Sequence, residues 1–106
     1  MTITMVVGYP KDANFNTEYY LQKHLPSVNP TWKPYGMGAW RAMAPTDLSK
    51  SPYVMLVEIE WPDMESFHRA QAETPPEATQ KYMDDMKNFT DKDPVVWFME
   101  SKASGS

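Results

Sequence analysis

The segment from Tyr53 to Trp61 constrains the fold more than any other stretch of the chain. Its odd positions, Tyr53, Met55, Val57, Ile59 and Trp61, are all apolar, and its even positions run Val54, Leu56, Glu58 and Glu60. Such period-two alternation is the pattern of a strand with one face against a core. The other face is apolar at one end and acidic at the other. A single strand cannot bury its own face, so partner strands and covering helices must come from the rest of the sequence.

Three other segments supply the partners. Thr2 to Tyr9 is rich in β-branched residues, is closed by Pro10, and reads as the first strand. Tyr35 to Met43, with Gly36 and Gly38 near its start, reads as the second, and Pro94 to Glu100 as the last. Between them the spacing becomes helical. Asn16 is placed to cap a helix, with Phe15 stapled onto Tyr20. Its stripe is Tyr20, Leu21, His24, Leu25 and Val28; Pro26 is expected to kink or tighten it and Pro30 to end it. Asp63 caps a second helix that turns Met64, Phe67, His68 and Gln71 to one side. Thr74-Pro75-Pro76-Glu77 reads as a capping box opening a third helix, which buries Ala78, Tyr82 and Met86 and ends near Lys87. Ala44 to Pro52 and Asn88 to Asp93 have turn composition.

The order β-α-β-β-α-α-β is the split βαβ plan. It predicts an α+β, ferredoxin-like fold with a four-stranded antiparallel sheet and helices on one face. Residues 1–100 form one domain, and the small polar residues 101–106 read as a flexible C-terminal tail. Helices on one face leave the other bare. Val54, Leu56, Val96 and Phe98 are assigned to that bare face, and an exposed apolar sheet calls for a second chain. A homodimer with sheets packed face to face is expected; a monomer with a solvated outer face, which antiparallel sheets tolerate, is the alternative.

Composition narrows the function. The chain has no cysteine, which removes disulfides, thiolate metal sites and cysteine nucleophiles. The formal net charge is −4 and the lysines are scattered, so nucleic acid is not an expected partner. No apolar run approaches a membrane span, and the N-terminus lacks a signal-peptide pattern, so no membrane partner and a cytoplasmic location are expected. The two histidines are far apart with no carboxylate at ligand spacing, and the four glycines make no phosphate loop. No metal and no cofactor are expected from these residues.

Several motifs together resemble one family. Gly8-Tyr9-Pro10 closes the first strand, Phe15-Asn16 to Tyr19-Tyr20 is followed by His24-Leu25-Pro26, and Asn88-Phe89-Thr90-Asp91 precedes Pro94. This set resembles the EthD family, and Trp32-Lys33-Pro34-Tyr35-Gly36 with Trp40 resembles its fungal-type members. The resemblance runs from residue 1 to about residue 100. It implies the dimeric α+β barrel superfamily, whose members bind small, hydrophobic, often aromatic molecules between sheet and helices. Cofactor-free oxygenases, polyketide cyclases, dehydrating or decarboxylating enzymes, isomerases and some haem binders are among them. It therefore implies a homodimer binding a small hydrophobic or aromatic, polyketide-like molecule. A haem reading would need His24 or His68 as axial ligand. EthD-like proteins are also associated with oxidative degradation, which allows a non-catalytic auxiliary role.

His24 is the main candidate for chemistry. It lies one turn after Tyr20 on the buried stripe, and an imidazole can move a proton near neutral pH. Tyr20 could orient it or hold a ligand oxygen. The competing reading is a structural histidine satisfied by a backbone carbonyl. Arg41 is the candidate anion stabiliser, against a surface or interface role. Tyr9, Trp32, Tyr35, Trp40 and Trp61 are candidate ligand-binding aromatics, against plain packing. His68 reads as a helix-edge residue, Glu58 and Glu60 as interface polar groups, and Asp91 and Asp93 as solvated turn charges.

Overall fold

The computed structural model describes residues 2–105. Strands β1 (Ile3–Pro10), β2 (Trp40–Met43), β3 (Tyr53–Trp61) and β4 (Val95–Glu100) form one sheet in the order β2-β3-β1-β4. Every neighbouring pair is antiparallel. Helix α1 (Thr17–Tyr19) runs through a π-helical segment, Tyr20–His24, into α2 (Leu25–Trp32). Helices α3 (Met64–Glu73) and α4 (Pro76–Asp85) complete the covering layer. This is the ferredoxin-like α+β fold that the order of elements predicts.

Register decides which side chains meet the helices. Met5 pairs with Ile59 and Phe98, and Val7 with Val57 and Val96. Paired residues share a face, so Val96 and Phe98 lie on the helix-covered side. Phe98 confirms this by packing edge-on against Phe67 of α3, with ring centroids 4.8 Å apart. The bare face takes Val95, Trp97 and Met99 from β4 instead, alongside Leu56 and Met43. The expectation for Val96 and Phe98 was out of phase by one residue, and in a strand that slip exchanges the two faces completely.

A second phase change occurs at the start of β3. Tyr9 pairs with Met55 but Pro10 pairs with Tyr53, which leaves Val54 as an extra, bulged residue. Val54 packs against the core, and the Tyr53 ring is turned onto the bare face over Gly8. A Cβ at Gly8 would sit 2.8 Å from that ring, so glycine is what lets Tyr53 lie flat there beside Trp97.

The first helix also departs from expectation. Leu25 N–H donates to the Tyr20 carbonyl, five residues back, which widens the turn ahead of Pro26. A proline ring clashes with the carbonyl four residues earlier in a regular helix, and a wider turn relieves this. The extra residue rotates Leu21 out of the stripe, so Leu21 is exposed while Tyr20, His24, Leu25 and Val28 are buried. Pro30 does not end the helix, which continues to Trp32. The hydroxyls of Ser27 and Thr31 donate to the carbonyls of His24 and Ser27 along this proline-interrupted stretch. A 3-10 turn, Lys33–Tyr35, follows and is closed by Gly36 at φ 111°. That left-handed position suits glycine and ends the turn, so Tyr35 belongs to the turn and not to β2, which begins at Trp40.

The caps at Asn16 and Asp63 form as the sequence predicts, accepting from the backbone N–H groups of Tyr19 and Ser66. The capping box at Thr74 does not. Its hydroxyl donates back to the Ala70 carbonyl at the end of α3, and Pro76 opens α4 without a side-chain cap. Residues 101–105 carry no regular secondary structure and are exposed. Among the described residues, no helix is long and apolar enough to cross a membrane.

Candidate functional site

The π-helical segment turns Tyr20 and His24 inward, where they meet the end of β1 and the turn after α4. Tyr9, Phe15, Tyr20, His24 and Phe89 form one aromatic cluster. The His24 ring lies 4.4 Å from Phe89, 4.6 Å from Tyr82 and 5.7 Å from Tyr20 between centroids. His24 is 1% exposed. Its Nδ1 is 2.8 Å from Oδ2 of Asp85, the last residue of α4. The other carboxylate oxygen, Oδ1, accepts from the Tyr19 hydroxyl and from Nδ2 of Asn88. Nε2 of His24 is buried and has no hydrogen-bond partner. His24 is therefore held by a carboxylate, and the expected alternative of a backbone carbonyl is not what the ring contacts.

Burial pushes the His24 pKa below its usual 6.5, against the opposing pull of Asp85. Burial acts to raise Asp85, but the hydrogen bonds from Tyr19, Asn88 and His24 hold its carboxyl below the usual 3.8. At neutral pH the pair is thus a neutral imidazole against a carboxylate. Burial also drives up the tyrosines around it. Tyr82 is pushed up to about 12. Tyr9 is raised further by the neighbouring Tyr20 and Tyr82, and Tyr20 is raised despite a hydrogen bond with Tyr9. All three hydroxyls keep their protons across the physiological range.

These shifts give a sign for the pH dependence of stability. With its folded pKa depressed, His24 takes up a proton on unfolding as the pH drops below about 6.5. The unfolded state binds more protons in that window, so stability falls with acidification. Asp85 adds a second loss at lower pH, as it passes through its depressed folded value. Urea midpoints measured from about pH 8 to about pH 5 should fall in wild type and fall less in His24→Gln. Equal slopes in the two proteins would show that His24 is not depressed.

Between the sheet and the helices lies a cavity of about 410 Å³. Met5, Val7 and Val96 form its floor, and Val28, Trp32, Phe67, Tyr82 and Met86 form its walls. Met83, which is exposed, stands at its mouth with Gln71 and Asp93. On the other side of α4 is a polar groove lined by Tyr19, Lys23, Lys81, Asp85, Lys87 and Asn88. Tyr82 borders both spaces. His24 borders neither directly and lies behind the Tyr82 ring.

Of the candidate catalytic and ligand-binding residues named from the sequence, only Trp32 lines the cavity. Trp61 is 1% exposed behind Trp32 and Phe67, and its Nε1 is buried without a partner. Tyr9 and Tyr20 belong to the buried aromatic cluster. The Tyr35 hydroxyl donates to the Glu73 carbonyl, tying the 3-10 turn to the end of α3. Trp40 shares the helix-side register with Ile59 at the sheet edge and is partly exposed. Arg41 lies on the bare face, exposed and paired with Glu58 through Nη2 at 2.7 Å, so it is separated from His24 by the sheet. His68 is exposed on α3. No histidine lines the cavity, so neither His24 nor His68 is placed there as an axial haem ligand.

The sequence does not single out Asp85, and Tyr19 and Asn88 enter only as members of the family-like motifs, with no role at a site. Asp85 is 61 positions from His24, and carboxylates in the last turn of a helix usually face water. The one local signal is spacing: Tyr82, Asp85 and Asn88 recur every three residues and so share a helix face.

No protein-family model and no curated protein sequence matches the chain. Solved structures do. An EthD-like protein from Ralstonia eutropha is 23% identical, with a TM-score of 0.76 over 99% of this chain and 96% of that one. An ethyl tert-butyl ether D (EthD) family protein from Bacillus halodurans is 19% identical, with a TM-score of 0.66 over 95% of this chain and 99% of that one. SnoaB, a cofactor-independent oxygenase from Streptomyces nogalater, is 10% identical, with a TM-score of 0.70 over 97% of this chain and 95% of that one. The chain has the fold of the EthD-like proteins, as the sequence motifs imply.

Proposed function

We propose that the chain is a cytoplasmic homodimer of EthD type that binds a small hydrophobic, aromatic or polyketide-like molecule between its sheet and helices. The observation that carries this reading is the cavity itself. It has the size of a small-molecule site and is walled by Trp32, Phe67 and Tyr82 over an aliphatic floor. Tyr82 offers a protonated hydroxyl to a ligand oxygen, and His24 waits behind it as acid or base. The reaction class is then proton transfer without a bound cofactor: cyclisation, dehydration, decarboxylation, isomerisation, or oxygenation of an activated phenol. The fold likeness to a cofactor-independent oxygenase supports this class without selecting a member of it.

One observation favours a second reading. Because His24 does not itself line the cavity, the same space can serve a non-catalytic binding or auxiliary protein of an oxidative degradation pathway. Native mass spectrometry of freshly purified protein should show an extra small mass in wild type. That mass should be lost in Val28→Phe, which fills the cavity from α2, and kept in His24→Ala. Once the bound molecule is identified, His24→Ala should lower its turnover by about 10²- to 10⁴-fold. Undiminished turnover assigns the chemistry elsewhere. A ligand that survives Val28→Phe places binding outside the cavity.

A further inference from the structure

We infer that Asp85 is a positioning residue that fixes the tautomer of His24, with the proton on Nδ1 and the lone pair of Nε2 facing the interior. Three observations from different elements converge on it. Asp85 Oδ2 stands 2.8 Å from Nδ1, in range of a charge-assisted hydrogen bond. A carboxylate only accepts, so Nδ1 must carry the hydrogen. Oδ1 is engaged by Tyr19 from α1 and Asn88 from the turn after α4, which fixes the carboxylate and keeps it ionised. A neutral imidazole protonated at Nδ1 has Nε2 as an acceptor, and Nε2 is the ring nitrogen left without a partner.

The arrangement has an inside and an outside. Asp85 is a quarter exposed and opens onto the polar groove, whereas the His24 side chain is 2% exposed. The groups that face the pair are the Tyr20 and Tyr82 rings within, and Tyr19, Lys23, Lys81, Asp84 and Lys87 around the groove. The lysines line the groove on the carboxylate side, and no cation stands beside the ring within to supply a proton to Nε2. A proton taken up at Nε2 creates an imidazolium whose charge Asp85 offsets through Nδ1–H, with no change in the carboxylate. That step rests on the reading of His24 as acid or base given above; the tautomer does not.

The test uses the whole chain labelled with ¹⁵N, read by long-range proton–nitrogen correlation at the His24 ring. Wild type should show a protonated Nδ1 and an unprotonated Nε2 above the titration midpoint. Asp85→Ala should lose that preference and show both tautomers. Asp85→Asn keeps the shape and removes the charge, and should lower the His24 midpoint further, because the carboxylate is what holds it up. Tyr19→Phe should leave the tautomer unchanged. Nε2–H in wild type, or an unaltered tautomer in Asp85→Ala together with an unaltered midpoint in Asp85→Asn, overturns the assignment. If the tautomer follows Asp85 while His24→Ala turns over normally, the catalytic reading of His24 fails and the role of Asp85 stands.

Discussion

Phe89→Ala is expected to destabilise the fold by about 3–5 kcal/mol. Phe89 follows the single 3-10 turn after α4, outside any regular element, yet it is 1% exposed. Its ring lies 4.4 Å from His24, 5.0 Å from Tyr20, 5.7 Å from Tyr9 and 5.8 Å from Phe15 between centroids. Its carbonyl accepts from Asn16 N–H at 2.7 Å, joining this turn to the start of α1. Truncation leaves a void bounded by four rings attached to three different parts of the chain, which cannot collapse without moving β1 and α1 together. A domain of this size has only about 5–15 kcal/mol of total stability, so the variant should unfold at a much lower denaturant concentration. Phe89→Leu, which retains an apolar side chain there, should lose less. The two urea curves test this, and an Ala variant within about 1 kcal/mol of wild type would show that the cluster repacks freely.

The order of elements was legible because each strand and helix carries its own period. Nine residues of alternation at β3 and two side-chain caps needed no tertiary information. What was not legible depended on a neighbour or on a break in the period. The faces of β4 could not be phased from Val95-Val96-Trp97-Phe98-Met99, because an unbroken apolar run reads the same in either register. The bulge at Val54 exists only in the pairing with β1. The π-helical turn before Pro26 displaced Leu21 from a stripe that looked regular at 3.6 residues per turn. At the site, His24 was found because its spacing from Tyr20 is local. Asp85 was not, because its partner lies on another helix. Arg41 looked equally suitable as an anion stabiliser, since nothing in a strand sequence says which side of the sheet an alternating arginine takes.

Leu56→Glu is expected to turn the proposed dimer into a monomer without unfolding it. Leu56 lies on β3 near the middle of the bare face, in register with Gly8 and Met43. Tyr53, Val95, Trp97 and Met99 share that face, and Val95 and Met99 are among the most exposed large apolar residues of the chain. Glu58, Glu60 and Arg41 stand toward one end of it, which gives an apolar centre with a charged rim. In a two-fold interface one substitution acts twice. An uncompensated buried carboxylate costs about 3 kcal/mol or more per copy, so the two together weaken association by roughly 10⁴-fold. The helix-side core does not contain Leu56, so the monomer should keep its far-UV spectrum and its cavity. Light scattering after gel filtration reads the outcome. A wild-type protein that runs as a monomer at all concentrations removes the face-to-face dimer. A Leu56→Glu protein that remains dimeric moves the interface off the sheet, and the edge strands β2 and β4 become the surfaces to mutate next.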